Sequence, residues 1–266
     1  MNLPIPPRPD TGVTPEALSV ASNGRVRSTW GWWEGVGVFV LASLVGGVAA
    51  IPVLARFGNT SVNGAVGLSE ILQGIVGDVV TVGILVAWLG RWHKEWRASI
   101  IGPRPKDRIF LNIAIGLGAG VVLIPAVGLI SVLIQNALKG AVGHAVSVPA
   151  QVAPDLSSTA RVLLVFFACV VAPITEELFF RGVLFRTVRD RHGFWFAAIA
   201  SAIPFGLLHW IVGSPTIDAV ALVLTMVFTG LGLAWIYERR GTIVAPMAAH
   251  MAFNVVGVVT ILAIAR

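Results

Sequence analysis

This chain has little of what a soluble domain is built from. Only 12% of its 266 residues are charged, against roughly 25% in soluble domains, which excludes a water-exposed surface over most of the molecule. Its single cysteine, Cys169, excludes an intramolecular disulfide and leaves the redox compartment open. No His-Glu-x-x-His pair occurs, so the sequence makes no demand for zinc. It also lacks an internal repeat and the inverted pair of broken helices that transporters carry. The first 30 residues hold Pro4, Pro6, Pro7, Pro9, Asp10 and Glu16 without an apolar run. They argue against a cleaved signal peptide and read as a disordered cytoplasmic tail.

What the chain has in abundance is apolar sequence: 56% of residues are hydrophobic, 29 are glycine, and the mean hydropathy is +0.85. A helix needs about 20 apolar residues to cross a hydrocarbon core of about 30 Å. Seven segments meet that test: Gly35 to Leu54, Leu68 to Leu89, Phe110 to Leu138, Ala160 to Phe185, Phe194 to Val212, Ala219 to Tyr237 and Thr242 to Ala265. The expected fold is all-α, a polytopic transmembrane helix bundle forming a single domain over 31–266.

The net charge of +6 does not indicate nucleic acid, because the cations collect on alternate connections, as they do on the cytoplasmic side of membrane proteins. With the N-terminus inside, 14 Lys and Arg fall on the inner side, in the groups Arg8 to Arg27, Arg91 to Arg108, Arg186 to Arg191 and Arg239 to Arg240. Four fall outside: Arg56, Lys139, Arg161 and Arg266. The expectation is an integral protein of the plasma membrane, N-terminus cytoplasmic and C-terminus outside, with the lipid bilayer as a partner. Within Arg91 to Arg97, Trp92 and Trp96 alternate with cations, the pattern of a headgroup anchor. Gly102-Pro103-Arg104-Pro105 breaks any helix there. The outer loop around Pro149 and Pro154 has room for a short interfacial helix. Gly116 and Gly120 form a small-xxx-small pair for close helix packing.

Ionisable groups at membrane depth are costly and are rarely kept without a partner or a task. Glu176 and Glu177 stand side by side inside the apolar stretch Val162 to Leu184, with Arg181 one turn on. Glu177 and Arg181 are spaced i, i+4 on one helical face, suited to an ion pair, while Glu176 points about 100° away and is free to act as an acid or base. His209 follows Phe205 by four residues on a helix that Pro204 is expected to kink. His250 and Asn254, again i, i+4, offer hydrogen-bond donors of the kind that hold an oxyanion. Counted from the cytoplasmic ends of their spans, these groups lie about 12 to 20 Å deep, which predicts one cavity open to the cytoplasm. Asp78 is a further carboxylate within a span, whose ordinary explanation is a hydrogen bond to a neighbouring helix or protonation rather than catalysis.

The series Glu176-Glu177-x-x-x-Arg181, Phe205-x-x-x-His209 and His250-x-x-x-Asn254 resembles the CAAX protease and bacteriocin-processing family of intramembrane endopeptidases, over about 160–260. The resemblance implies hydrolysis of peptide bonds in membrane-associated peptides or lipidated, CAAX-type proteins. In that family Glu176 would activate water, His209 would orient it, and His250 with Asn254 would stabilise the oxyanion, supported by Glu177, Arg181 and Phe205. A metal-free mechanism is the preferred reading, and zinc held by Glu176, His209 and His250 is the alternative. The prenyl-protease members have eight membrane helices against the seven counted here. Two other readings of the polar residues are a proton-coupled transporter and a noncatalytic bacteriocin-immunity membrane protein.

Overall fold

In lipid a backbone N–H must find its partner inside its own segment, so long apolar runs fold as helices. The computed structural model describes residues 26–61, 66–102, 108–149, 151 and 156–264, and among these all extended regular structure is helical. In chain order the helices are α1 (Trp32–Phe57), α2 (Leu68–Trp92), the short α3 (Trp96–Ile100), α4 (Ile109–Val142), α5 (Ser158–His192), α6 (Phe194–Leu207), α7 (Thr216–Arg240) and α8 (Val244–Ile264). Most of the tail expected at the N-terminus, residues 1–25, lies outside the described residues. Val26 to Trp30 are held against the bundle: Trp30 is fully buried and gives its indole N–H to the Val183 carbonyl at 3.1 Å.

Five helices are long and apolar enough to cross a membrane: α1, α2, α4, α5 and α7. The expected count of seven full-length spans is not confirmed among the described residues. The fifth, read as Phe194 to Val212, stops at Leu207, short of full crossing length, while α8 runs over Val244–Ile264 with its described apolar part over Val244–Thr260. Pro204, read as a kink, sits three residues from the helix end. Beyond it the chain tightens, with His209 N–H bonding the Gly206 carbonyl and Trp210 N–H that of Leu207. Those i−3 bonds end an α-helix. No helix occurs among the described residues of 143–157; the rest of the loop in which a short extra helix is expected, Pro154 included, lies outside the described residues. The break expected at Pro103 to Pro105 lies outside the described residues, although α3 does end just before it, at Ile100.

Helix α5 is the axis of the bundle. It contacts α1, α2, α6, α7 and α8, while α1 pairs with α2, α6 with α7, and α4 with α7 and α8. Its outer neighbours present apolar side chains such as Leu44, Val48, Val121 and Leu129 outward, as a lipid-facing surface requires. The α4–α8 pairing depends on the two glycines. A methyl group at Gly116 would collide with the Ala245 carbonyl, and one at Gly120 with that of Ala249. That close approach sets the position of α8, and with it His250.

Candidate active site

The central helix changes its winding where the acidic pair stands. From Phe167 to Val171 and again from Glu177 to Phe185 its backbone follows the wider i→i+5 pattern of a π-helix, a rare form that is frequent at functional sites. Widening re-aims the side chains. Glu177 and Arg181 are completely buried and paired, with Arg181 Nη1 donating to Glu177 Oε1 at 2.9 Å. Arg181 Nη2 donates to the Gly230 carbonyl of α7 at 3.0 Å, and its guanidinium lies 4.5 Å from the centre of the Phe205 ring. The charge is thus matched by a carboxylate, a carbonyl and an aromatic face.

Glu177 Oε1 accepts a second hydrogen bond, from His250 Nδ1 at 2.9 Å. A carboxylate paired with arginine can only accept, so the proton is on Nδ1. His250 Nε2 then faces Glu176 Oε2 across 3.8 Å, beyond hydrogen-bond range. Phe205 packs against the same imidazole with ring centres 5.8 Å apart. Asn254, one turn along α8, donates to the Ala168 carbonyl at 2.7 Å, which leaves its second N–H and its carbonyl oxygen for another partner.

His209 lies in the turn after α6. Because its backbone N–H bonds Gly206, the Phe205 carbonyl is left for the His209 ring, which reaches it through Nδ1 at 2.9 Å. A carbonyl only accepts, so Nδ1 is again the protonated nitrogen and Nε2 is a free acceptor.

Glu176, His209, His250 and Asn254 all line one cavity of about 670 Å³, and an adjoining chamber of about 270 Å³ is also lined by His209, His250 and Asn254. The structure therefore brings the four together around one space, with Glu177, Arg181 and Phe205 packed behind them. The cavity's other walls include Ser61, Glu70, Gln151, Trp210 and Val212. These come from the α1–α2, α4–α5 and α6–α7 connections or their edges. The cavity expected to open at the cation-rich end opens at the opposite end. Depth along a helix cannot reveal which end is filled, and the filling here comes from distant segments.

Several contributors have no signal of their own in the sequence. The Gly230, Ala168 and Phe205 carbonyls act through the backbone, and no side-chain pattern marks them. Asp78 on α2 is half-buried, lies close enough to Glu176 to feel its charge and is met by the Thr175 side chain; its place inside an apolar span was the available signal. Resident zinc requires three ligands converging on one point. Among the described residues no three His, Cys, Asp or Glu side chains are grouped closely enough to hold a metal ion.

Residues 158–256 match the family model described as type II CAAX prenyl endopeptidase Rce1-like. This stretch carries the pattern of that family. It contains every site residue named above on α5, α6, α7 and α8. The Bacillus subtilis (strain 168) protein named "Putative membrane peptidase YdiL" is 30% identical over 92 residues, which are 35% of this chain and 34% of that protein. The chain thus spans about a third of the length of the curated relative it matches. No solved structure matches. The apolar helices and this likeness agree on an integral membrane protein.

Proposed function

We propose that the protein is an intramembrane endopeptidase that hydrolyses peptide bonds of membrane-associated or lipidated proteins, with Glu176 as general base. The observation that carries this reading is the division of labour between adjacent carboxylates. Glu177, fully buried, accepts hydrogen bonds at Oε1 from Arg181 and His250 and lies behind the cavity wall, whereas Glu176 is partly exposed and lines the cavity. A base must reach the water whose proton it takes, and of the two carboxylates Glu176 is the one that lines that space.

In the proposed reaction, water in the cavity gives a proton to Glu176 as its oxygen bonds to the scissile carbonyl carbon. His209 Nε2 accepts the second water proton in a hydrogen bond and so orients the attack. The carbonyl becomes an oxyanion, held by the free N–H of Asn254 and, when its ring carries both protons, by His250 Nε2–H. As the C–N bond breaks, Glu176 returns its proton to the departing nitrogen, leaving an acid and an amine. Glu177 and Arg181 hold His250 in position throughout. The N-terminus is assigned to the cytoplasmic side of the plasma membrane from the distribution of cations.

Purified protein incubated with peptides carrying a lipid or membrane anchor, read by mass spectrometry, tests the assignment. Glu176→Gln is expected to lower turnover about 10²–10⁴-fold, and Asn254→Ala about 10²–10³-fold, without loss of folded protein. Equal cleavage by Glu176→Gln and wild type would remove the catalytic role.

A further inference from the structure

The two ends of the bundle are closed to different degrees, and this sets the side from which a substrate arrives. Beneath the Glu177–Arg181 pair, toward the cation-rich end, Phe185, Leu233, Tyr237 and Ile100 are all fully buried. Tyr237 donates its hydroxyl to the Ile100 carbonyl at 3.3 Å, and Ile243 N–H bonds the same carbonyl at 3.2 Å. Helix α3 and the segment before α1 complete the seal. Ser28 is bonded to Asp190 through its backbone and its hydroxyl, and Arg186 pairs with Asp190 at 3.1 Å. None of these residues lines the cavity that holds Glu176.

At the other end the catalytic cavity reaches the rim formed by Ser61, Gln151, Trp210 and Val212. The rim's apolar members are exposed, Trp210 to 42% and Val212 to 81%, as suits a boundary that rests at a membrane surface. Among the described residues no lysine or arginine lines the cavity, which carries Glu70 and Glu176 instead. Arg181 lies behind it, committed to Glu177 and Gly230.

Joining these observations to the cation distribution, and resting on the endopeptidase reading, we infer that the site is entered from the non-cytoplasmic face. Its substrates are neutral or cationic peptide segments presented at the outer leaflet. Cytosolic chains with an anionic C-terminus do not meet this mouth. The physical reason is that cations stay on the cytoplasmic side, and in this fold they mark the sealed end.

The test reads sidedness by two routes. In full-length protein with Cys169→Ala, single cysteines are placed at the exposed positions Ser61, on the rim, and Glu95, at the sealed end. A membrane-impermeant maleimide added to intact cells is expected to label Ser61→Cys and to reach Glu95→Cys only after the membrane is opened. The reverse pattern, or equal labelling of both in intact cells, overturns the inference. In proteoliposomes of known orientation, a cationic lipid-anchored peptide should be cleaved when placed on the Ser61 side, with cleavage lost when it is on the Glu95 side. Detergent-solubilised protein, which has no sides, separates the two claims. Cleavage in detergent together with cleavage only from the Glu95 side removes the outer-face inference and leaves the endopeptidase. Absence of cleavage in detergent removes both, while the labelling still reports which end faces out.

Discussion

The sealed end and the open end of this bundle are built from the same helices, yet they use polar residues in opposite ways. At the sealed end nearly every polar group closes a gap between segments distant in sequence. Arg189 meets Glu238 at 2.8 Å, Arg240 meets Asn112 at 2.9 Å, and Glu34 receives the Trp88 indole N–H and faces His93. Three aromatic rings, Trp30, Trp88 and His93, pack edge to face beside them. At the open end Glu176, His209 Nε2 and part of Asn254 keep bonding capacity directed into a cavity. Satisfied polar groups make a wall, and unsatisfied ones around a cavity make a reactive surface, because only the latter have protons or lone pairs to exchange.

Substitutions that strike one region at a time test this contrast. Arg181→Met, in the layer that floors the site, leaves Glu177 buried without its cation and is expected to cost about 3–5 kcal/mol; thermal unfolding in detergent and peptide turnover should both fall. Trp30→Ala at the sealed end removes a fully buried ring and is expected to cost about 3 kcal/mol of stability, while turnover per folded molecule stays at the wild-type level. A matching loss of turnover would break the comparison. Gly120→Leu forces α4 and α8 apart at an estimated cost of about 1–3 kcal/mol. It should also lower turnover, since α8 carries His250 and Asn254; unchanged turnover would show that the catalytic geometry does not depend on this contact. Arg189→Met has the smallest expected effect, about 0–1 kcal/mol, because the Arg189–Glu238 pair is partly exposed at 27% and 21%, and its unfolding curve should nearly overlay the parent's.

Much of the bundle was legible from hydropathy alone. The spans read at Gly35 to Leu54, Leu68 to Leu89 and Phe110 to Leu138 lie within α1, α2 and α4, because a helix is the only way a lone apolar run can satisfy its backbone in lipid. The fifth span was overextended. Apolar residues continue through Leu207, Leu208 and Val212, and hydropathy registers them equally whether or not the backbone is still helical; Pro204 and Gly206 were the local signs of a stop. The i, i+4 pairs were legible for the same reason that helices were, and Glu177 with Arg181 does form a bonded pair. His250 paired with Glu177 was not, because 73 residues separate them and no periodic signal spans that distance. Nor did the π-wound stretches announce themselves, since the same residues are compatible with an α-helix and the wider turn is imposed by what surrounds it.

By itself the sequence determined a helical, membrane-embedded chain, cations grouped on alternate connections, and three short motifs of polar residues placed where lipid would otherwise exclude them. Those properties are local or compositional, and each follows from the cost of leaving a charge or a peptide group unsatisfied in an apolar medium. Tertiary structure alone decided that the motifs share one cavity, that Glu177 is tied down while Glu176 is not, and which end of the bundle is open. Each of these depends on contacts between segments remote in sequence, where packing and hydrogen bonding select one arrangement among many that the same hydropathy pattern allows.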